Sequence, residues 1–142
     1  MKTLAIRNGD LVIGPEGHLV IDGASKVRQE IGLTLREPVG VDRFHREWGS
    51  MLPNYIGEPI QRSTGLLVET ETTRVVQNYV AQQANVLERD SIGTRRSRLN
   101  ANEVIGSLNG VRVRQDQDKI HVKIEMTMLS RRRESIVASV GG

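Results

Sequence analysis

The chain has no cysteine. That excludes disulfides, cysteine-ligated metal sites and a cysteine nucleophile, and it fits assembly in a reducing cytoplasm. Aromatic residues make up 3% of the chain, with one Trp, one Phe and two Tyr. A core therefore has to be built from Val, Ile and Leu, and the interleaved aromatics that stack nucleic-acid bases are missing. No apolar run approaches the roughly 20 residues that cross a bilayer, and the N-terminus lacks a signal-peptide apolar stretch. The expectation is a protein that is soluble or joins a soluble assembly, with no membrane partner. An excess of one charge is also missing. The 20 basic and 17 acidic residues leave a formal charge of +3, so the pI of 9.7 overstates basicity. A nucleic-acid-binding domain usually shows a concentrated basic face. The strongest candidates for one are Arg95-Arg96-Ser97-Arg98 and Arg131-Arg132-Arg133.

What is present suits one domain over 1–142, since 142 residues support one core but not two. Residues 1–22 read as a β meander. Short apolar runs at Leu4–Ile6, Leu11–Ile13 and Leu19–Ile21 are separated by Asn8-Gly9-Asp10 and Gly14-Pro15-Glu16-Gly17, both of turn chemistry. No internal repeat is evident. Residues 23–102 read as helical and loop-rich. Asp22 is a candidate N-cap, and Ala24, Val27, Ile31 and Leu35 share one helical face, with Pro38 and Gly40 ending the helix. Pro53, Gly57, Pro59 and Gly65 break the chain up to Gly65. A second, longer helix is expected from Leu66 to Gly93. Its apolar stripe is Leu67, Val68, Val75, Val76, Tyr79, Val80, Ala84 and Leu87, with Glu71 and Arg74 on the other faces. Residues 94–102 read as a basic loop or short helix.

Residues 103–142 give the clearest strand pattern. Val111 and Val113 alternate with Arg112 and Arg114. After a polar turn, Ile120, Val122, Ile124, Met126 and Met128 alternate with Lys119, His121, Lys123, Glu125 and Thr127. A period of two buries one face and wets the other, as in an antiparallel hairpin. Ser135–Val140 is then an edge strand of the same sheet, or a tail that pairs with another chain. The fold class is α+β: two main helices packed on a small, mainly antiparallel β-sheet, with a C-terminal hairpin and edge strand.

Catalytic chemistry has little support. Glu37, Asp42 and Glu47 lie near Trp48 and suggest a glycosidase pair, but such enzymes need two carboxyls set across a cleft. Beside Arg36, Arg43 and Arg46 these acids are expected to be salt-bridged. His18, His45 and His121 show no metal-ligand spacing. No catalytic residue, cofactor or metal is therefore assigned, and the chain reads as non-enzymatic. The Arg clusters read first as a solvated face, and Arg131–Arg133 as charges that guard an edge strand. Trp48 is either a core plug or an interface anchor.

The segment from Gln29 to Leu52 carries a resemblance. Gln29, Ile31 and Leu35 on a helix, Gly40 at the expected interval, then Trp48-Gly49-Ser50 and Leu52 resemble the baseplate-wedge and sheath-initiator family of contractile-tailed phages. An older name for that family is lysozyme-like. The similarity covers most of residues 20–140. The family's Gly-Glu-Arg turn is here Gly40-Val41-Asp42-Arg43, shifted by one. The proline before its aromatic-Gly pair is Arg46. Its Glu-Pro-Arg element corresponds to Glu88 and Arg89 without the proline. The resemblance implies a structural protein of the virion tail baseplate, assembled in the host cytoplasm. It implies multiple copies in a symmetric ring around the tail tube, among other baseplate wedge proteins. There it would template the first ring of the tail sheath protein by offering strand edges. The residues it points to for partner binding are Asp42, Arg43, Trp48, Gly49, Glu88, Arg89, Ile136, Ala138 and Val140. The strands Lys119–Met128 and Ser135–Val140 are the expected edges. The lysozyme-like name keeps a peptidoglycan-cleaving enzyme as the alternative, and a small nucleic-acid-binding module comes third.

Overall fold

The computed structural model describes residues 2–57, 59, 61–92, 98–116 and 118–141. At the N-terminus lie six two-residue strands: β1 (Thr3–Leu4), β2 (Ile6–Arg7), β3 (Asp10–Leu11), β4 (Ile13–Gly14), β5 (Gly17–His18) and β6 (Val20–Ile21). They close into a triangle rather than a linear meander, because β2 pairs with β3, β4 with β5 and β6 back with β1. Three corner residues stand seven apart. Ala5 N–H donates to Leu19 O at 2.8 Å, Val12 N–H to Ala5 O at 3.0 Å, and Leu19 N–H to Val12 O at 2.9 Å. The register repeats with the same period: Ile6 faces Leu11, Ile13 faces His18, and Val20 faces Leu4. A seven-residue repeat is thus present, contrary to the sequence reading. It is concealed because the turns differ, with Asn8-Gly9 in the first unit, Pro15-Glu16 in the second, and the start of a helix in the third.

That helix is α1 (Gly23–Arg36), which buries Val27, Ile31 and Leu35 along one stripe. Asp22 occupies the N-cap position in extended conformation, but its side chain makes no capping bond. The first amide is satisfied from far along the chain, where Glu103 Oε1 accepts Gly23 N–H at 3.2 Å. Glu103 is fully buried, and a carboxylate at a helix N-terminus also meets the positive end of the helix dipole. Burial pushes its carboxyl up, yet hydrogen bonds led by the Gly23 amide hold it below the usual glutamate value. Gln29, on the outer side of α1, acts as an extra strand for the triangle. Its side chain accepts Ile6 N–H at 2.7 Å and donates to Leu4 O at 2.8 Å.

A short 3-10 helix (Leu52–Tyr55) precedes α2 (Arg62–Ile92), whose 31 residues span about 46 Å at 1.5 Å per residue. It begins earlier than expected and runs through Gly65, whose N–H bonds to Gln61 O at 3.1 Å. A helical glycine costs about 1 kcal/mol relative to alanine, and packing of the adjacent Val68 offsets it. The apolar stripe is narrower than the sequence suggests. Leu67 and Ala84 are exposed, while Thr72 and Gln83 are buried in their place. Thr72 satisfies its hydroxyl on Val68 O at 2.8 Å. Gln83 donates to Glu103 O at 2.6 Å and accepts Ile105 N–H at 3.0 Å, fixing where the sheet begins. The expected stop at Gly93 and the basic stretch from Arg95 to Ser97 lie outside the described residues.

The main sheet holds β7 (Ile105–Gln115), β8 (Lys119–Met128) and β9 (Arg133–Gly141), antiparallel in that order. The α+β class stands. Ile120, Val122, Ile124, Met126 and Met128 on β8, with Ile136, Ala138 and Val140 on β9, are buried beneath the two helices. The pairs Ile124–Ile136, Val122–Ala138 and Ile120–Val140 face each other in the core. Ser135–Val140 is therefore an edge strand of the chain's own sheet. Lys119–Met128 is not an edge, because β8 is paired on both sides. A strand with alternating side chains looks the same at the edge or the centre, and only strand order decides. The free edges are β7 and β9. Two register shifts, Ile105/Ser107 and Leu108/Gly110, interrupt the first half of β7, and such bulges discourage pairing.

Candidate functional site

Two surface regions gather most of the residues that sequence reasoning singled out. The first is the loop between α1 and the 3-10 helix. Its ends are joined by a parallel bridge between Pro38 and Ser50. Ser50 N–H donates to Glu37 O at 2.7 Å and Val39 N–H to Ser50 O at 3.2 Å. The buried Ser50 hydroxyl donates to Leu35 O at 2.6 Å and accepts Leu52 N–H at 3.2 Å. Gly49 lies inside this closure with φ +101°, and an added Cβ would stand 2.6 Å from Glu37 O. From outside, α2 clamps the loop. Arg74 donates to Gly49 O at 3.2 Å, Glu71 accepts Met51 N–H at 2.9 Å, and the Arg74 guanidinium grips the Glu71 carboxylate at 2.6 and 2.9 Å. The Arg74 hydrogen bond holds the Glu71 carboxyl below its ordinary value. The helical pattern puts Glu71 and Arg74 on faces away from the apolar stripe. An i, i+3 acid-base pair marks them, but nothing in the sequence shows what they hold.

Within this loop Asp42 is a turn residue. It accepts Phe44 N–H at 2.8 Å and His45 N–H at 3.2 Å, and the Phe44 amide leads in holding its carboxyl below the usual aspartate value. The expected pairing of the loop acids with Arg36, Arg43 and Arg46 does not occur among the described residues. Asp42 leans instead on His45 Nδ1 at 3.6 Å, and Arg36 reaches β9. Local backbone amides and a reachable strand edge outcompete solvated ion pairs, which contribute little. Arg43 is exposed. Trp48 is half-buried and walls a cleft of about 380 Å3 with Glu47, Asn78, Tyr79, Gln82 and Asn85. The Tyr79 hydroxyl donates to Glu30, and burial, then that carboxylate, raises its pKa far above the ordinary tyrosine value. Glu88 and Arg89 are exposed near the end of α2. They lie about 21 Å along the helix from Arg74 at 1.5 Å per residue, and no hydrogen bond or ion pair joins them to the Asp42 loop among the described residues.

The second region is the outer edge of β9. Ile136, Ala138 and Val140 are each 2% exposed, so their side chains serve the core and not a surface. Ser135, Val137 and Ser139 hold the opposite alternation. Arg28 donates to Ser135 O at 3.5 Å and Arg36 to Ser139 O at 3.1 Å, so these carbonyls face the free edge. Peptide groups two residues apart along a strand point the same way, which turns Val137 N–H and C=O to that edge as well. The Val137 side chain is 67% exposed. This edge offers main-chain hydrogen bonding to a further strand.

No metal-binding cluster of three or more His, Cys, Asp or Glu exists among the described residues, and no described helix is long and apolar enough to cross a membrane. No family model matches the chain, and no curated protein sequence matches it. A solved structure does. The fold is that of a protein from Geobacter sulfurreducens described as a "putative tail lysozyme". The two superpose with a TM-score of 0.59 at 16% sequence identity, over 87% of this chain and 95% of that one. At that identity the likeness shows a shared fold.

Proposed function

We propose that this chain is a non-enzymatic structural component of a contractile tail baseplate, present in several copies around the tail tube among wedge proteins, that templates the first sheath ring by strand addition. The observation that carries this reading is the β9 edge, where an ordered strand turns the Val137 peptide groups outward at the rim of the sheet. Main-chain bonding supplies affinity in such additions, and alternate side chains set register. The name of the Geobacter structure, a tail protein, points the same way. So does the resemblance carried by Gln29, Leu35, Gly40 and Trp48-Gly49-Ser50. The test mixes the purified protein with its cognate sheath subunit and tail tube and images the product by electron microscopy. Ordered sheath that starts only where the protein is bound supports the reading, and sheath that ignores it refutes it.

A second reading, cleavage of peptidoglycan, is favoured by the word lysozyme in that name and by the Trp48 cleft with its amides. Against it, Glu47 is the one carboxylate among the described residues that line the cleft, whereas glycoside hydrolysis ordinarily uses two. Wall-digesting activity that disappears in Glu47→Gln would favour the enzyme and displace the structural reading.

A further inference from the structure

The β9 edge does not stand open on flat solvent. It forms one wall of a groove of about 420 Å3, with α1 as the floor and the N-terminal triangle as the opposite wall. Arg7, Arg28 and Arg36 line the groove, and no carboxylate does among the described residues. Arg28 leans only loosely on Glu134, at 3.8 Å with half of its side chain exposed, and Arg7 faces Asp10 across β2 and β3. Arg28, Gly32 and Arg36 follow one i, i+4 row of α1. Its middle position is a pit, since a Cβ built on Gly32 would have nothing within 4 Å.

We propose that this groove selects an extended partner segment with two carboxylates four residues apart and an apolar residue midway between them. The inference rests on the strand-addition reading and specifies the chemistry of the incoming strand. Eight residues of helix separate the two guanidinium groups by about 12 Å along α1. Residues i and i+4 of a strand lie on one face, about 13 Å apart. A strand added beside β9 would therefore bring both acids to Arg28 and Arg36 and set its central side chain over Gly32 and Leu33. Val137 N–H and C=O would hold its backbone. The guanidinium groups that now rest on Ser135 O and Ser139 O would turn to the carboxylates, releasing those carbonyls to the new strand. A charge-assisted bidentate pair is stronger than an arginine bond to a neutral carbonyl.

The experiment uses an end-capped nine-residue peptide with Glu at positions 3 and 7, Val at position 5 and Thr elsewhere. It is titrated to millimolar concentration into the full chain while amide exchange at Val137 is followed by NMR. The expected result is protection of the Val137 amide and affinity at least tenfold above that of the same peptide with Gln in place of Glu, a preference that shrinks with added salt. Arg28→Gln with Arg36→Gln should erase the preference. Gly32→Leu, in a variant whose melting curve shows that it folds, should weaken both peptides. Equal binding of the Glu and Gln peptides, with Val137 protected, overturns the acid selection and leaves strand addition standing. Absence of binding by either peptide overturns it too when the cognate sheath subunit still protects Val137. If the sheath subunit also leaves Val137 unprotected, the strand-addition reading falls with it.

Discussion

Replacing Gly49 by alanine should be one of the most damaging single-methyl changes in this protein. Two costs combine. A residue with a side chain held at φ +101° carries strain of about 1–3 kcal/mol. The new Cβ would also stand 2.6 Å from Glu37 O and 2.9 Å from Pro38. Both atoms are backbone and part of the bridge to Ser50, so the clash is relieved only by opening that bridge. Opening loses the Ser50–Glu37 and Val39–Ser50 hydrogen bonds, each worth about 1 kcal/mol. The sum is about 3–5 kcal/mol, or a melting point lower by about 10–17 °C for a domain of this size. Urea unfolding followed by the fluorescence of Trp48, the sole tryptophan, measures it directly. Gly40 supplies the control. It sits in the same loop at φ +88° with nothing within 4 Å of a built Cβ, so Gly40→Ala should cost only the backbone strain, about 1–3 kcal/mol. Equal destabilisation by the two variants would refute the argument that close approach of Gly49 to Glu37 holds the loop closed.

Gln83→Ala should destabilise by about 2–3 kcal/mol in the same urea assay, because it removes two buried hydrogen bonds, to the Ile105 amide and to Glu103 O. Gln29→Ala should leave the global transition little changed but accelerate amide exchange at Ala5, Ile6 and Val12, since Gln29 ties the triangle to α1. The Glu71 carboxyl sits below its ordinary 4.5 when folded, chiefly through its hydrogen bond from Arg74. Its contribution is therefore complete above about pH 4.5 and lost as pH falls through the lower folded value. Stability measured from pH 7 down to pH 3 should decline less steeply in Glu71→Gln than in wild type.

Much of the fold was legible because its strongest patterns are local. The strict alternation from Lys119 to Met128 and the stripe Val27–Ile31–Leu35 each report one buried face, and both faces lie in the core. The rest depends on contacts between distant segments. Gly65 reads as a breaker, yet packing of α2 carries the helix through it. Glu71, Arg74, Gln83 and Glu103 are polar, so composition assigns them to solvent, whereas each satisfies backbone groups from another element. The triangle's seven-residue period hides behind two different turns and the start of a helix. Strand alternation identified Ile136, Ala138 and Val140, but those side chains face inward. The outward set, Ser135, Val137 and Ser139, and the arginines that reach it, emerge only once strand order places β9 at the rim.

The inward set also dictates how the central claim should be tested. Proline at Ile136 or Val140 would break the ladder with β8 and open the core, so loss of assembly there would say little. Proline at Val137 removes only an N–H that faces the free edge, where proline is tolerated. The decisive measurement compares wild type and Val137→Pro for nucleation of cognate sheath on tail tube, scored as ordered first rings by electron microscopy, after matched melting curves. Near-complete loss of first rings by a folded Val137→Pro protein is the predicted result. First rings at wild-type frequency would contradict sheath templating through the β9 edge.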